Sequence, residues 1–406
     1  MGSEGGAMVT VLHGLTWDHE RGLGSLVQAS QAFSSQNPGV TVSWSARSLA
    51  EFEDVPLQVL APRYDIITID HPHVGKADAD GCLVPLDELL AEEVLAEQAS
   101  HSVGPSFASY SWNKHQWALA VDAAAQVSAF RPDLLAADGL DAPSRLEDLA
   151  DFAASLSGPG VAIPANPTHL YSSFLSLCQL NSSETARSED LRPVWWPKQG
   201  LDFEVAVPAL EALYEILDLA TPGSLEQGPI EVLDQMTSGD DVAYVPFVFG
   251  YANYSRSGSV PSRVEFRNVP TLEGREPSGL LGGAGIAVSA HCRHRKEAAE
   301  FVSYVTSEAC QRGPYFSGGG QPGHRLAWLD KEINRATCSF FSSTLQTLDN
   351  ACVRPRSANY PAFQRQAGPL LHKLIARSEG PRQTIEVLNE LWRTVAAKDF
   401  ALEPWS

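Results

Sequence analysis

Residues 116–130 read Gln116-Trp-Ala-Leu-Ala-Val-Asp-Ala-Ala-Ala-Gln-Val-Ser-Ala-Phe130. They form an extended apolar run with a single carboxylate, Asp122, near its centre. A run of this kind predicts a buried strand. Because an isolated buried carboxylate is costly, Asp122 must find partners, either in a ligand or in hydrogen bonds at a hinge.

Strands and helices alternate on both sides of this stretch. The predicted strands are Val9–Leu12, Val40–Trp44, Tyr64–Ile69, Asp241–Phe249 and Gly282–Ser289, and the predicted helices include Leu26–Phe33, Phe203–Leu219 and Lys296–Val305. The alternation predicts an α/β fold with a parallel sheet and right-handed crossovers. Open sheets of this class bind ligands beyond the carboxyl ends of their strands. The polar segments His13–His19 and Asp70–His73 follow two such ends.

Length and charge indicate the number of lobes and exclude some classes of partner. A chain of 406 residues is too long for one average domain, so two lobes are expected. The formal net charge of -20 would repel a phosphate backbone or an anionic membrane, which excludes nucleic acid as an expected partner. Membrane insertion is not expected either, because no apolar run approaches the roughly 20 residues that cross a bilayer.

The cellular location stays open. The first residues, Met1-Gly-Ser-Glu-Gly-Gly-Ala7, lack a basic region followed by an apolar stretch, so no signal peptide is visible. A periplasmic or extracellular location is expected if a leader has been removed, and a cytoplasmic one otherwise.

Three ordered segments carry a resemblance to a known family. They are Trp117–Gln126 with Phe130-Arg-Pro-Asp-Leu-Leu135, Gly282–Ser289 with Lys296–Phe301, and Ser317-Gly-Gly-Gly-Gln-Pro322. Together with Tyr64-Asp-Ile-Ile-Thr-Ile-Asp70, the set resembles the extracellular solute-binding proteins of carbohydrate-type ABC importers, which include maltose- and oligosaccharide-binding proteins.

The resemblance implies a type II periplasmic-binding-protein fold, with lobes of discontinuous segments and a ligand cleft between them. It places residues 9–120 and 278–325 in the N-terminal lobe and residues 121–277 and 326–406 in the C-terminal lobe. Hinge closure around the ligand and delivery to an ABC permease are implied as well. A monomer is expected.

Candidate ligand-binding residues follow from chemistry as well as position. Sugar sites pair aromatic platforms with hydrogen-bonding side chains, because ring CH faces pack on aromatics while hydroxyls need fixed partners. The candidates are His13, Trp17, Asp18, His19, Asp70, His71, His73, Asp122, Phe249, Tyr251 and Asn253. They predict binding of a carbohydrate or a related polyhydroxy compound.

An enzyme of the same ancestry is the alternative. The segment His13-Gly-Leu-Thr-Trp-Asp-His-Glu-Arg-Gly22 holds more ionisable groups than reading a sugar requires. An isomerase, lyase or hydrolase would use an acid, a base or an orienting group drawn from His13, Asp18, His19, Asp70 and His71.

No cofactor is expected. No metal site is expected either, since no helical pair of histidines spaced by four is present, and the six scattered cysteines receive no functional role.

Overall fold

The computed structural model describes residues 9–158, 160–182, 191–197, 199–256 and 258–395. The N-terminal segment discussed above and residues 396–406 of the expected C-terminal lobe lie outside these ranges. The chain divides into two units. Unit 1 comprises the residues up to Ala123 and Gly283–Ala327, and unit 2 comprises Ala124–Gly282 and the residues from Trp328 onward. The boundaries therefore fall at 123/124, 282/283 and 327/328, beside the expected 120/121, 277/278 and 325/326.

Unit 1 is built from strands and mostly short helices. Its strands are β1 (Thr10–Trp17), β2 (Val40–Arg47), β3 (Ile66–Ile69), β4 (Leu83–Val84), β5 (Ser111–Trp112) and β6 (His115–Gln116). Its helices are α1 (Ser25–Gln36), α2 (Leu49–Asp54), α3 (Leu57–Leu60), α4 (Val74–Asp80), α5 (Glu92–His101) and α6 (Ser106–Ser109). Strand β7 (Leu119–Phe130) then carries the chain across the first boundary into unit 2.

Unit 2 is mainly helical. Its elements between the first two boundaries are α7 (Pro132–Asp138), α8 (Leu149–Ser155), β8 (Gly160–Val161), α9 (Pro167–Asn181), α10 (Phe203–Leu219), α11 (Pro229–Ser238), β9 (Val242–Phe249) and β10 (Glu265–Arg267). The return into unit 1 brings β11 (Leu281–Ser289), α12 (Arg295–Thr306) and α13 (Glu308–Cys310). The last elements are α14 (Arg325–Trp328), α15 (Lys331–Ala336), α16 (Phe340–Asp349), α17 (Tyr360–Ala376) and α18 (Pro381–Val395).

The sheet strands of unit 1 follow the order β2-β1-β3-β11. Strands β1 and β2 pair in parallel over eight residues, from Thr10 opposite Val40 to Trp17 opposite Arg47. Strand β3 also runs parallel to β1, whereas β11 is antiparallel to β3. The sheet is therefore mixed. In unit 1, strands β1, β2 and β3 fulfil the parallel arrangement predicted from the sequence, and in unit 2 strands β8 and β9 are also parallel.

The first strand is longer than the sequence pattern predicts. It ends at Trp17 instead of Leu12, because β2 supplies a backbone partner for each of its eight residues. His13 therefore lies within a strand and not in the loop where the sequence analysis placed it. Its exposed imidazole Nδ1 is 3.2 Å from Ser43 Oγ on β2.

Each unit has its own hydrophobic core. In unit 1, Leu12 of β1, Ile66 of β3, Phe301 of α12 and their neighbours are fully buried. In unit 2, the rings of Trp196, Tyr360, Phe363 and Trp392 pack edge to face or tilted, with centroids 5.1 to 6.5 Å apart. Independent cores of this size let each unit keep its internal geometry.

Two further findings concern the membrane and the cysteines. Within the described ranges, none of the helices combines the length and apolarity needed to span a bilayer. All six cysteines are free thiols, and five of them are buried. Burial raises the pKa of the Cys82 thiol to about 11 and that of the Cys310 thiol to about 12, so both favour the protonated, unreactive form.

Candidate functional site

The carboxyl ends of β1 and β3 form one edge of the unit 1 sheet. Leu15 is paired with Ile67, so the two parallel strands end level with each other. Asp18 and Asp70 are the first residues beyond their respective ends. We use the name edge site for Trp17, Asp18, His19, Asp70, His71 and His73, which occupy or immediately follow these ends.

The aromatic member of the edge site is held by packing on several sides. Trp17 is only 5% exposed, and its ring centroid is 5.4 Å from that of Phe52 in α2. Ala284 at the start of β11 belongs to the same cluster. Gly22 approaches so closely that a Cβ there would lie 2.5 Å from the indole. The Trp17 indole therefore has a fixed orientation.

Asp18 and His19 differ in exposure. The Asp18 side chain is exposed, while its backbone N–H donates to the Arg47 carbonyl at 2.7 Å. His19 is half-buried, and its Nδ1 accepts a hydrogen bond from the backbone N–H of Arg21 at 3.0 Å. With Nδ1 used as an acceptor, a neutral His19 carries its proton on Nε2. Asp18 thus offers acceptors and His19 offers a donor to a polar ligand.

Asp70 and the two histidines after it lie in a buried turn. Asp70 Oδ1 accepts the backbone N–H of His71 at 2.9 Å and also lies 3.3 Å from His71 Nδ1. The His71 ring is fully buried and meets Tyr110 edge to face at 6.4 Å. His73 is also buried. The carboxylate therefore fixes the start of the turn through the backbone N–H of His71 and lies beside the first imidazole.

The partner of Asp122 is an arginine that the sequence analysis did not single out. Arg21 Nε and Nη2 donate to the two carboxylate oxygens of Asp122 at 2.7 and 2.5 Å. Both side chains are almost completely buried. Burial raises the pKa of the Asp122 carboxyl, and the guanidinium acts in the opposite direction. The sequence indicates that a buried carboxylate needs a cation, and Arg21 lies in the polar segment after β1, but only the tertiary fold identifies it as the partner.

In unit 2, the candidate residues lie at and after the end of β9. We call Phe249–Tyr254 the aromatic loop. Phe249 is half-buried, whereas Tyr251 and Asn253 are buried. The Tyr251 and Tyr254 rings meet edge to face at 6.3 Å, and Tyr254 donates its hydroxyl proton to Asp234 at 2.7 Å. The loop is thus fixed by ring packing and by a hydrogen bond to α11.

A second residue missed from the sequence contacts the aromatic loop. The His169 ring in α9 lies edge to face on Phe249 at 6.0 Å. Asn166 Oδ1 accepts from the His169 backbone N–H at 3.1 Å and from its Nδ1 at 2.8 Å, so Nε2 of the neutral ring is an acceptor. Burial lowers the pKa of His169 to about 4, with a smaller contribution from Arg354. The sequence signal that could have pointed to His169 is the helix start Asn166-Pro167, because a helix-capping Asn accepts hydrogen bonds from the first turn.

The structure therefore groups the candidates into two sets that belong to different units. Unit 1 holds the edge site together with Asp122, and unit 2 holds the aromatic loop. His13 is the candidate that stands apart from the edge site, since it lies four residues before the end of its strand.

Comparisons with known proteins match this architecture. Residues 17–312 match the family described as bacterial extracellular solute-binding protein. A probable ABC transporter-binding protein of Deinococcus radiodurans is 24% identical over 188 residues, which are 45% of this chain and 44% of the relative. The aligned region thus spans less than half of that relative's length.

Solved structures of similar fold extend over nearly the whole chain. Maltose-bound MalE3 of T. maritima has a TM-score of 0.79 at 18% identity, covering 95% of this chain and 100% of the other. A ribitol complex of an ABC transporter solute-binding protein from Agrobacterium radiobacter K84 has a TM-score of 0.73 at 21% identity, covering 95% and 98%. The predicted α/β fold of type II periplasmic binding proteins is confirmed, and the chain belongs to the bacterial extracellular solute-binding protein family.

Proposed function

We propose that this chain binds a small polyhydroxy solute, a carbohydrate or a sugar alcohol, and delivers it unchanged to an ABC permease. The observation that carries the proposal is the edge site, where a rigid indole adjoins carboxylate and imidazole groups at the carboxyl ends of two parallel strands. Membership of the family supports solute binding, and similar solved structures hold maltose and ribitol.

The chemistry of the edge site suits hydroxyl groups. Carboxylate oxygens accept hydrogen bonds from hydroxyls, and the Nε2–H of a neutral His19 can donate to a hydroxyl oxygen. Trp17 is 5% exposed, so it holds this strand end rigid and offers a sugar only a small part of its indole. We assign Trp17, Asp18, His19, Asp70 and His73 of the edge site to solute binding in unit 1, and we propose Phe249, Tyr251 and Asn253 of the aromatic loop as candidate binding residues of unit 2. The proposed location is outside the cytoplasm, where members of the family normally act.

The proposal is tested by calorimetric titration with sugar alcohols and malto-oligosaccharides. Asp18→Asn keeps the shape of an exposed side chain but removes its charge, and losing a hydrogen bond to a charged group weakens binding by about 10- to 100-fold. Asp80→Asn is the matched control, since Asp80 is also exposed and is paired with Lys76 on α4. Equal affinities of Asp18→Asn and the unmodified protein would contradict the assignment of Asp18.

Catalysis is the second candidate, and the Asp70–His71 contact favours it. A carboxylate that orients an imidazole is typical of general bases. However, the complete burial of the His71 ring supports a structural role for it. Incubation with the bound solute separates the two candidates: recovery of the solute unchanged supports transport, whereas a product whose formation stops in His19→Ala would establish an enzyme.

A further inference from the structure

Three potential metal ligands meet in unit 1 outside the edge site. Glu97 and His101 lie one turn apart on α5, and His324 immediately precedes α14. Glu97 Oε1 is 2.8 Å from His324 Nε2 and 3.6 Å from His101 Nδ1. One ligand atom from each residue lies within 4.8 Å of the other two. Among the described residues, these three side chains are the group of histidine, cysteine or acidic residues whose ligand atoms are close enough to share one metal ion.

Both imidazoles lie beside the Glu97 carboxylate, and their rings are parallel to each other. Their rings are stacked with centroids 5.5 Å apart and an interplanar angle of 5°. Two histidines and one glutamate form a ligand set that suits zinc and neighbouring transition metals, and it leaves coordination positions for water or another ligand. The Glu97 and His101 side chains are 40% and 42% exposed, which gives an ion access from solvent.

A second layer of hydrogen bonds fixes these side chains. The buried Gln98 amide donates to Glu97 Oε2 at 2.7 Å and to the Thr306 carbonyl at 2.9 Å. His324 is buried, and the residue before it is held through its backbone N–H by Gln311 at 2.7 Å. Partners of this kind orient ligands at metal sites, and they reduce the side-chain ordering that binding would otherwise require.

We propose that Glu97, His101 and His324 bind a divalent transition-metal ion such as Zn²⁺, separately from the solute. The ion takes the place of the proton between His324 Nε2 and Glu97 Oε1. That proton moves to Nδ1 of the His324 ring, so the long 3.3 Å hydrogen bond from the Leu326 amide is lost. His101 Nδ1, which lies 3.1 Å from the Glu97 carbonyl oxygen, likewise gives up its proton, with Nε2 protonated instead, so that Nδ1 can bind the ion. The bound ion would connect α5 to the segment that leads to the third boundary at Ala327/Trp328.

The sequence alone gave no reason to expect this site. A helical pair of histidines spaced by four was the pattern sought, whereas the structure pairs a glutamate and a histidine at that spacing and recruits the second histidine from more than 200 positions away. The tertiary fold brings that third ligand into place, and no local pattern announces it.

The test uses full-length protein freed of metal with a chelator. Calorimetric titration with Zn²⁺ should show one site per chain, and Co²⁺ should give the visible absorption bands of a site with nitrogen ligands. His101→Ala changes a partly exposed side chain, so the fold should persist, and it should weaken Zn²⁺ binding at least tenfold. His115→Ala is the matched control: His115 also pairs with a carboxylate, Asp87, at 2.8 Å, and within the described part of the chain it belongs to no group of three potential ligands.

Two results would overturn the proposal. One is the absence of saturable Zn²⁺ binding by the unmodified protein, and the other is an equal affinity in His101→Ala and His115→Ala. A rise in melting temperature on adding Zn²⁺ that is lost only in His101→Ala provides an independent supporting readout, because a ligand that binds the folded state stabilises it. Solute affinity is measured in parallel, so failure of the metal proposal is distinct from failure of the proposed function.

Discussion

The buried carboxyl of Asp122 in unit 1 is held in an ion pair by Arg21, whereas the buried imidazole of His169 in unit 2 is kept neutral by its surroundings. Both groups adjoin candidate binding residues. Arg21 lies four residues after Trp17, the last residue of β1, and His169 packs on Phe249. The comparison shows two solutions to the same problem, since a buried ionisable group must either be paired or lose its charge.

The two solutions predict different weaknesses. A buried ion pair loses its contribution to folding stability when one partner is removed, and this loss does not require a change of pH. A buried neutral histidine lowers folding stability in acid, because the unfolded chain binds a proton at a higher pH than the folded protein does. Unit 1 should therefore be sensitive to substitution at Asp122, and unit 2 should be sensitive to acid through His169.

The largest effect is expected from Asp122→Asn. This change leaves the buried Arg21 guanidinium without its counter-charge, and removal of one partner of a buried ion pair costs about 3–5 kcal/mol of folding free energy. Urea denaturation measures the loss. The exposed pair Lys76–Asp80 is the control, for which Asp80→Asn should change stability by less than about 1 kcal/mol. A loss of less than about 1 kcal/mol of folding free energy in Asp122→Asn would show that the ion pair contributes little to stability.

The next effect concerns acid and His169. Its pKa of about 4 in the folded protein lies below the ordinary value of 6.5, so the unfolded chain protonates first as the pH falls. Stability contributed by the neutral ring is full above pH 6.5 and is lost as the pH falls to about 4, up to about 3 kcal/mol. The free energy of unfolding, measured by urea denaturation at several pH values, should therefore change less with pH in His169→Gln than in the unmodified protein. The same pH dependence in both proteins would contradict this account.

A smaller effect is expected from two glycines that touch the candidate rings. A Cβ at Gly22 would lie 2.5 Å from the Trp17 indole, and a Cβ at Gly282 would lie 2.7 Å from the Phe249 ring. Overpacking of this kind costs about 1–3 kcal/mol. Gly39→Ala is the control, because nothing lies within 4 Å of its added Cβ. If Gly22→Ala is as stable as Gly39→Ala, then Trp17 is less tightly held than its packing indicates.

The smallest effect is expected at His13. Its side chain is exposed on β1 and contacts Ser43, away from the strand end where the edge site begins. His13→Ala should change stability by about 0.5 kcal/mol or less and leave solute affinity unchanged. Calorimetry of this variant beside Asp18→Asn tests whether binding is confined to the strand end. A matching loss of affinity in both variants would extend the site along β1.

The class of fold followed from local patterns, and the details that depend on distant residues did not. Helix α10 has the bounds that its apolar periodicity predicts, Phe203–Leu219, because that pattern is contained in the segment itself. The length of β1 was underestimated, since its second half is stabilised by pairing with β2, which no window around His13 contains.

The candidate site shows the same division. Asp70 could be placed at the sheet edge, because β3 ends where its apolar run ends. Asp18 was assigned to the polar segment after β1, although the end of that strand was placed at Leu12 instead of Trp17. The ion pair of Arg21 with Asp122 and the contact of His169 with Phe249 join residues 101 and 80 positions apart. Such pairings are set by tertiary packing, so chemistry alone indicates that a partner must exist without identifying it.

The central claim is that the edge site binds a polyhydroxy solute and releases it unchanged. Its most direct test is calorimetric titration of the unmodified protein with sugar alcohols and malto-oligosaccharides, followed by mass spectrometry of the solute recovered from the complex. We expect saturable binding of one molecule per chain and recovery of the same compound. Recovery of a chemically altered compound, or no binding by any member of either class, would contradict it.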